Sequence, residues 1–314
     1  MKKIKNLTMI LIAVITMFFT GCTKNDIFNG EVFTPTIVFT ASDSLDKLKP
    51  DADEIYFTDG KKVTRTTYFK DSTNRYIGVY GLSLSQNKDI YYSSNQIIGT
   101  KVSIFKLSIN LTNFSVNKSI KIFENSNDIF PTKISNDNKK IFGILNGGKN
   151  FILSNVNDKN SYSEFNFSNR IISNDFTKFL WVEENGDSAS IWVSNYDNSN
   201  KVKIITKEKN SLIINDISND NTKICYSIIK NGKSELFLID LNNKAKEIKL
   251  TNFSNNYQNT STITNVIFSK DSKNIYYLSN TLNKIYKQNI LNITQTAEPI
   301  FSGFNFKIKD FQIL

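Results

Sequence analysis

Ile134-Ser135-Asn136-Asp137-Asn138-Lys139-Lys140-Ile141 and Ile217-Ser218-Asn219-Asp220-Asn221-Thr222-Lys223-Ile224 are two copies of one phrase. Ile172-Ser173-Asn174-Asp175-Phe176-Thr177-Lys178-Phe179 is a third and Phe268-Ser269-Lys270-Asp271-Ser272-Lys273-Asn274-Ile275 a fourth. A shortened fifth copy is Leu84-Ser85-Gln86-Asn87-Lys88-Asp89-Ile90, and a weaker sixth is Leu48-Lys49-Pro50-Asp51-Ala52-Asp53-Glu54-Ile55. The phrase has a physical grammar. An apolar residue ends one strand. Ser, Asn and Asp then turn the chain, because their side chains bond nearby backbone and Asn and Asp tolerate left-handed conformations. Lys restarts the chain, and an Ile-, Phe-, Tyr- and Val-rich run follows, as a pleated surface prefers.

Each clear copy continues in the same way. Second strands are expected at 139–145, 178–182, 223–229 and 273–278. Asn146-Gly147-Gly148-Lys149 and Lys230-Asn231-Gly232-Lys233 signal hairpins into third strands at 151–156 and 235–240, with further third strands at 191–194 and 284–287. Polar turns then lead to edge-like fourth strands at 202–206 and 247–250. The second positions of the six copies, 49, 85, 135, 173, 218 and 269, lie 36, 50, 38, 45 and 51 residues apart. Four antiparallel strands repeated about every 40–45 residues are the signature of propeller blades. The expected fold is therefore all-β, a β-propeller of about six four-stranded blades, with a β-sandwich or solenoid as the alternative arrangements. Phe306 to Leu314 alternates like a first strand, and echoes Leu212-Ile213-Ile214-Asn215-Asp216-Ile217. Thr36 to Thr40 is a lone strand near the other end. The two termini are expected to pair in one blade and close the ring, which removes open edges; a seventh, composite blade is the alternative count.

The order apolar, Ser, polar, Asp, turn residue, Lys before a β-run resembles the WD40-like repeat, also called PD40, of TolB-type propellers and of the propeller parts of prolyl-oligopeptidase relatives. The resemblance covers about residues 45–280. Asn136, Asn174, Asn219 and Lys270 stand where that repeat has Pro, and Asn138, Phe176, Asn221 and Ser272 where it has Gly. Asn holds a positive φ at modest cost; a bulky Phe does not. The resemblance implies a module that contacts envelope proteins by a propeller face.

The N-terminus gives an address. Lys2, Lys3 and Lys5 precede an uncharged run from Leu7 to Phe19, which ends in Phe19-Thr20-Gly21-Cys22. This reads as an export signal, and the run is shorter than the roughly 20 residues needed to span a bilayer. Its end resembles the lipobox of bacterial lipoproteins, with Phe19 where that family prefers Leu, Val or Ile. The resemblance implies lipidation at Cys22, a signal peptide over residues 1–21, a lipid-anchored tether over 22–35 and a propeller over 36–314. The expected location is extracytoplasmic, at the outer membrane facing the periplasm or on the outer face of the cell membrane. The membrane is one expected partner, through the lipid, and an envelope protein the other.

Composition narrows the chemistry. Removing residues 1–21 takes three lysines and no acid from a net charge of +10, leaving +7. Only Arg65, Arg75 and Arg170 supply the bidentate fork that nucleic-acid sites favour, so no nucleic-acid partner is expected. There is no histidine, which excludes Ser-His-Asp and Cys-His nucleophiles and zinc sites with His ligands. A peptidase of the prolyl-oligopeptidase kind falls with it. With Cys22 acylated, Cys225 has no partner and reads as a buried structural thiol.

No catalytic, cofactor-binding or metal-binding residue is expected, and no cofactor. Asp137, Asp175, Asp220 and Asp271 recur once per copy and read as turn-stabilising residues on separate blades. Asp51-Ala52-Asp53-Glu54 and Glu183-Glu184-Asn185-Gly186-Asp187 read as solvated acidic loops. Tyr91-Tyr92, Phe179-Leu180-Trp181, Trp192 and Tyr276-Tyr277 read as inter-blade core rather than a peptide or sugar platform. The functional expectation is a protein-binding or scaffold module, with a carboxylate-dependent carbohydrate-active enzyme or a glycan-binding surface protein as the alternative.

Overall fold

The computed structural model describes residues 36–43, 53–67, 78–94, 102–110, 115–117, 119–125, 127–168, 170–208, 211–230, 232–243, 246–251, 262–293, 295–303 and 306–314. Cys22, the signal-like segment, the tether and Arg75 lie outside them. Six four-stranded antiparallel sheets succeed one another along the chain, and one 3-10 turn at Lys159–Ser161 interrupts the strands. This is a six-bladed β-propeller.

Five blades are built from consecutive strands. Blade 2 takes Val79–Leu84, Ile90–Ser94, Ser103–Leu107 and Ile120–Phe123. Blade 3 takes Ile129–Ile134, Ile141–Leu145, Lys149–Leu153 and Tyr162–Ser168. Blade 4 takes Arg170–Ile172, Lys178–Asn185, Ser188–Asn195 and Val202–Glu208. Blade 5 takes Ser211–Ile217, Lys223–Lys230, Lys233–Asp240 and Glu247–Lys249. Blade 6 takes Ile263–Phe268, Asn274–Ser279, Lys284–Asn289 and Glu298–Ser302.

Blade 1 joins the two ends of the chain. Its order is Phe306–Ile313, Ile37–Asp43, Asp53–Thr58 and Val63–Arg65. The C-terminal strand pairs antiparallel with Ile37–Asp43, from Ile37 opposite Ile313 to Asp43 opposite Phe306. The closing blade is one of the six, so the seven-blade alternative does not hold. It also corrects the sixth repeat copy. The segment 48–55 leads from the second strand into the third, whereas the other five copies join first strands to second. In blade 1 that junction is made by the chain ends, so it has no turn of this kind.

A blade packs on both faces, and its strands are apolar in both alternations. Ile224 and Tyr226 face a cluster with Leu180, Ala189 and Ile191 of blade 4. Cys225, between them, faces the other way, into a cluster with Ile263, Phe268 and Ile275 of blade 6. The unbroken run Ile224-Cys225-Tyr226 follows from this double burial. Phe142 and Ile152 pack on Ile172, Phe176 and Phe179 between blades 3 and 4. Tyr91 and Ile104 meet Ile129 and Ile141 between blades 2 and 3, and Phe39 and Phe311 meet Leu278 and Phe301 between blades 1 and 6.

Phe176 shows which term wins where turn and core conflict. Its φ is +58°, which costs a bulky L-residue roughly 1–2 kcal/mol. The ring is 4% exposed and sits in the cluster of blades 3 and 4, and burying a Phe contributes about 1.5–3 kcal/mol. Packing outweighs the strain.

Deleting 306–314 removes the first strand of blade 1, uncovers Phe39 and unpairs the inner edge of 37–43. The truncated chain should lose its cooperative thermal transition in circular dichroism; a melt like that of the intact chain would refute closure by this strand.

Candidate functional site: the mouth of the central channel

The repeated turns form one rim of the ring, and each is clasped internally. Ser135 Oγ donates to Asp137 at 2.5 Å, and Ser173, Ser218 and Ser269 donate to Asp175, Asp220 and Asp271 at 2.6 Å. Each Asp also accepts the N–H two residues on, at 3.0–3.1 Å. Each Ser Oγ accepts the N–H five residues on, at 2.9 Å. The residue after the Asp sits at positive φ in all four, Asn138, Phe176, Asn221 and Ser272, and Lys88 does so in the shortened copy. The serine hydroxyl, then the backbone N–H, holds the carboxyls of Asp137 and Asp271 below the usual range. For Asp175 and Asp220 burial pushes upward, but their hydrogen bonds outweigh it and the net direction is down.

The turns also bond to one another. Gln86 N–H donates to Asn138 Oδ1 at 3.1 Å, from blade 2 to blade 3. Asn136 N–H donates to Asn174 O at 3.1 Å, from blade 3 to blade 4. Asn174 Nδ2 donates to Asn219 Oδ1, from blade 4 to blade 5. Asn219 Nδ2 donates to Lys270 O at 3.0 Å, reaching blade 6. Asn221 Nδ2 adds a bond back to Asp175 at 2.7 Å. Proline at 136, 174 or 219 would have no N–H to give. The asparagines make the rim a hydrogen-bonded arc from blade 2 to blade 6.

Inside the arc lies a cavity of about 720 Å³, lined by residues from the first strands of all six blades. The first strands are therefore the innermost. At the mouth stand Gln86, Lys88, Asn136, Asn174, Asn219 and Lys270. Deeper, Lys133 Nζ of blade 3 reaches past blade 4 to Asp216 Oδ1 of blade 5 at 2.7 Å. Asp216 Oδ2 accepts Phe268 N–H of blade 6 at 3.0 Å. One carboxylate thus ties three blades. Asn215, beside it, lines the cavity with a buried Nδ2 that has no hydrogen-bond partner among the described residues. Burial, then repulsion from Lys270, holds the Lys88 ammonium below the usual lysine range.

Asp310 occupies in blade 1 the place that Asp216 has in blade 5, just after a bulge in the first strand. It serves the seam instead of the cavity. Its Oδ2 accepts Leu82 N–H of blade 2 at 2.8 Å, and Gln312 Nε2 donates to Leu82 O at 3.0 Å. Burial pushes the Asp310 carboxyl up to about 7, against the pull of the N–H groups of Phe311 and Leu82. The two first-strand carboxylates therefore do not converge on one point in the cavity.

Other residues singled out in the sequence lie elsewhere. Asp53 and Glu54 are not a solvated loop: they open the third strand of blade 1 and are 5% and 1% exposed. Lys309 Nζ meets Asp53 Oδ2 at 2.7 Å and Arg65 Nη2 meets Glu54 Oε1 at 2.7 Å. These partners come from other strands, so a local reading of four residues missed them. Glu183 to Asp187 form the exposed tip of a hairpin. Cys225 is fully buried, and burial raises its thiol far above the usual range.

Tyr91, Tyr92, Phe179 and Tyr277 are core, but Trp181, Trp192 and Tyr276 are only part-buried. Arg170, Trp181, Trp192 and Lys203 stand in register across the four strands of blade 4. The indoles stack at 6.2 Å, Arg170 lies over Trp181 at 4.8 Å and Lys203 over Trp192 at 5.2 Å. Cations cover the outer indole faces that a sugar would use. Among the described residues, no three His, Cys, Asp or Glu side chains gather to hold a metal.

No protein-family model matches the sequence, and no curated protein does. Solved structures match the fold. A chain of a nidogen–laminin complex superposes with a TM-score of 0.59 at 12% identity, over 88% of this chain and 98% of that one. TolB from Acinetobacter baumannii gives 0.55 at 15% identity, over 88% of this chain and 64% of that one. A putative TolB from Agrobacterium tumefaciens gives 0.54 at 9% identity, over 90% and 99%. At these identities the likeness is one of fold.

Asp310 sets a pH test. Its folded value of about 7 lies above the ordinary 3.8, so its contribution to stability is complete below about pH 4 and lost as pH rises through 7. Asp310→Asn keeps an acceptor oxygen and cannot ionise. Its melting temperature relative to the unmodified chain should climb between pH 4 and pH 8; a constant difference would remove Asp310 from the seam's pH response.

Proposed function

We propose that the chain is a lipid-anchored, extracytoplasmic propeller that binds a protein of the cell envelope through the channel mouth. The observation that carries this reading is the rim itself. A cavity of about 720 Å³ opens inside an arc of amide and lysine side chains. The carboxylates at this end of the ring are already engaged, by turn serines or by Lys133. Such a surface offers hydrogen bonds and shape to a partner segment, not an acid–base pair to a substrate. One of the solved chains that shares the fold comes from a complex between two proteins, nidogen and laminin, and two others are TolB proteins. Fold analogy supports a binding role without fixing the partner. The address rests on the lysine-led apolar run that ends at Cys22.

Two measurements test the two halves of the reading. Mass spectrometry should find acylated Cys22 as the first residue, and Cys22→Ser should move the protein from membrane to soluble fractions. An unmodified Cys22 would sink the anchor while leaving the propeller reading intact. For the binding face, a photo-crosslinking residue at Gln86, on the rim, should trap one envelope protein in living cells. The same probe at Asp187, on the hairpin tip of blade 4, should not. Adducts from Asp187 alone would move the interface to the other end. No adduct from either, with turnover of a glycan panel, would favour the carbohydrate-active alternative.

A further inference from the structure

The blades have two ends. First-to-second and third-to-fourth connections share the rim end, and the hairpins from second to third strands lie at the other. The chain enters the described fold at the rim end. Thr36 N–H donates to Thr58 O at 2.9 Å, and Thr36 O accepts, at 2.9 Å, the N–H of Leu314, which lines the cavity. Residues 22–35 separate this point from Cys22, and fully extended they reach at most about 50 Å. Bringing the hairpin end to a membrane that holds Cys22 would use most of that reach. It would mean crossing the two outer strands of blade 1, about 10 Å, and descending the length of an eight-residue strand, about 27 Å. Bringing the rim end there uses almost none of it.

The two ends also differ in chemistry. At the rim end Lys61, Lys139, Lys201, Lys246 and Lys273 are exposed, so that blades 1, 3, 4, 5 and 6 each present one. None of these five ammonium groups has a hydrogen-bond or ion-pair partner among the described residues. Acids share this end, but they are held within their own turns. Asp59 accepts from the N–H groups of Lys61 and Lys62, Asp197 from Ser199, and Asp137, Asp220 and Asp271 from their serines. The ammonium groups, on flexible four-carbon stems, reach past them. At the hairpin end the exposed charges are mixed in sign, with Glu183, Glu184, Asp187 and Glu208 beside Lys149 and Lys230.

One loop of the rim end is apolar. Leu291 is 68% exposed and Ile293 47%. They sit between the third and fourth strands of blade 6, the blade packed on blade 1, where the chain enters. The loop is braced. Asn289 Oδ1 accepts the N–H groups of Leu291 and Asn292 at 2.8 and 3.1 Å, and Ile290, itself buried, donates its N–H to Lys273 O at 3.0 Å. Two apolar side chains are thus held outward, with an exposed lysine at the turn that braces them.

We propose that the rim end is the membrane-facing end of the ring. Leu291 and Ile293 enter the headgroup layer of the bilayer that holds Cys22, and the exposed lysines meet its anionic phosphate groups. A lipid chain and a basic, apolar patch of the protein reinforce one another at a membrane surface. The inference rests on the anchor at Cys22, and it makes the partner sought from Gln86 a protein seated in the same membrane.

The test uses the full lipidated chain in vesicles of phosphatidylethanolamine and phosphatidylglycerol, with a trace of phosphatidylglycerol that carries a photoreactive diazirine in its headgroup. Mass spectrometry should place lipid adducts on the peptides of Lys273 and of Leu291–Ile293, and not on the hairpin tip Glu183–Asp187. Leu291→Asn/Ile293→Asn, a change at two exposed positions, should cut the adducts at Lys273 at least about fivefold while the chain still floats with the vesicles. Replacing phosphatidylglycerol by phosphatidylcholine, with the diazirine moved to that lipid, should do the same. Adducts on the hairpin tip, on both ends equally or on neither would overturn the orientation. Adducts unchanged in the double variant would overturn the apolar contact, and adducts unchanged in phosphatidylcholine the anionic one. A chain that fails to float fails at the anchor instead. Coupling Cys22 to a maleimide lipid, with Cys225 fully buried, then restores the tether, and the same adduct map decides the face.

Discussion

Blade 1 has its four strands only because the two ends of the chain meet in one sheet. Here the strand 306–313 supplies the innermost position of blade 1, and 37–43 the next. Edge groups that would otherwise template aggregation are paired. The cost of joining the ends across the whole chain is small per added residue, because loop-closure entropy grows only with the logarithm of length. The strand that makes the closure also clamps the next blade. Asp310 and Gln312 bracket Leu82, one accepting its N–H and the other donating to its C=O.

That closure fixes the asymmetry of the rim. In blades 3 to 6 the first strand runs into the second through a Ser-x-Asp turn, and in blade 2 through Ser85-Gln86-Asn87; in blade 1 those two strands come from opposite ends of the sequence. Inside the turns of blades 3 to 6 the Ser and Asp bonds are local and repeat from blade to blade. Between turns they depend on the residue that replaces proline or glycine, and there the blades differ. The asparagines at 136, 138, 174 and 219 spend their amides or backbone on neighbours.

How much of this could be read in the sequence follows from how local each feature is. The turn phrase was legible, and with it the five ordinary blades, because Ser, Asp and the positive-φ residue interact within six positions. The double-sided packing was visible as unbroken apolar runs such as Ile224-Cys225-Tyr226. The segment 48–55 imitated the phrase at another corner of its blade, since acids and an apolar residue alone do not distinguish a first-to-second corner from a second-to-third one. The buried charges of Asp53 and Glu54 were hidden for the opposite reason. Lys309 neutralises Asp53 from 256 residues away, through a strand pairing that only ring closure creates. The strut from Lys133 to Asp216, spanning 83 residues and skipping a blade, was invisible in the same way. One trace was present: the echo between Ile214-Asn215-Asp216-Ile217 and Ile308-Lys309-Asp310-Phe311 places two acids at one structural position.

The equivalence of those two acids shows why position in a repeat does not determine role. Asp216 and Asp310 both follow a first-strand bulge, and both accept a backbone N–H from the next blade around the ring, Phe268 in one case and Leu82 in the other. The difference lies across the channel. Asp216 meets the ammonium of Lys133 at 2.7 Å. Asp310 meets only N–H dipoles among the described residues, and burial outweighs them, so its carboxyl holds its proton toward neutral pH. Near-symmetry thus gives every blade the same frame, and single substitutions on the innermost strands and rim turns decide what each blade contributes. A ligand entering a perfectly repeated ring would find six equivalent orientations. In this one the strut from Lys133 to Asp216 removes that equivalence.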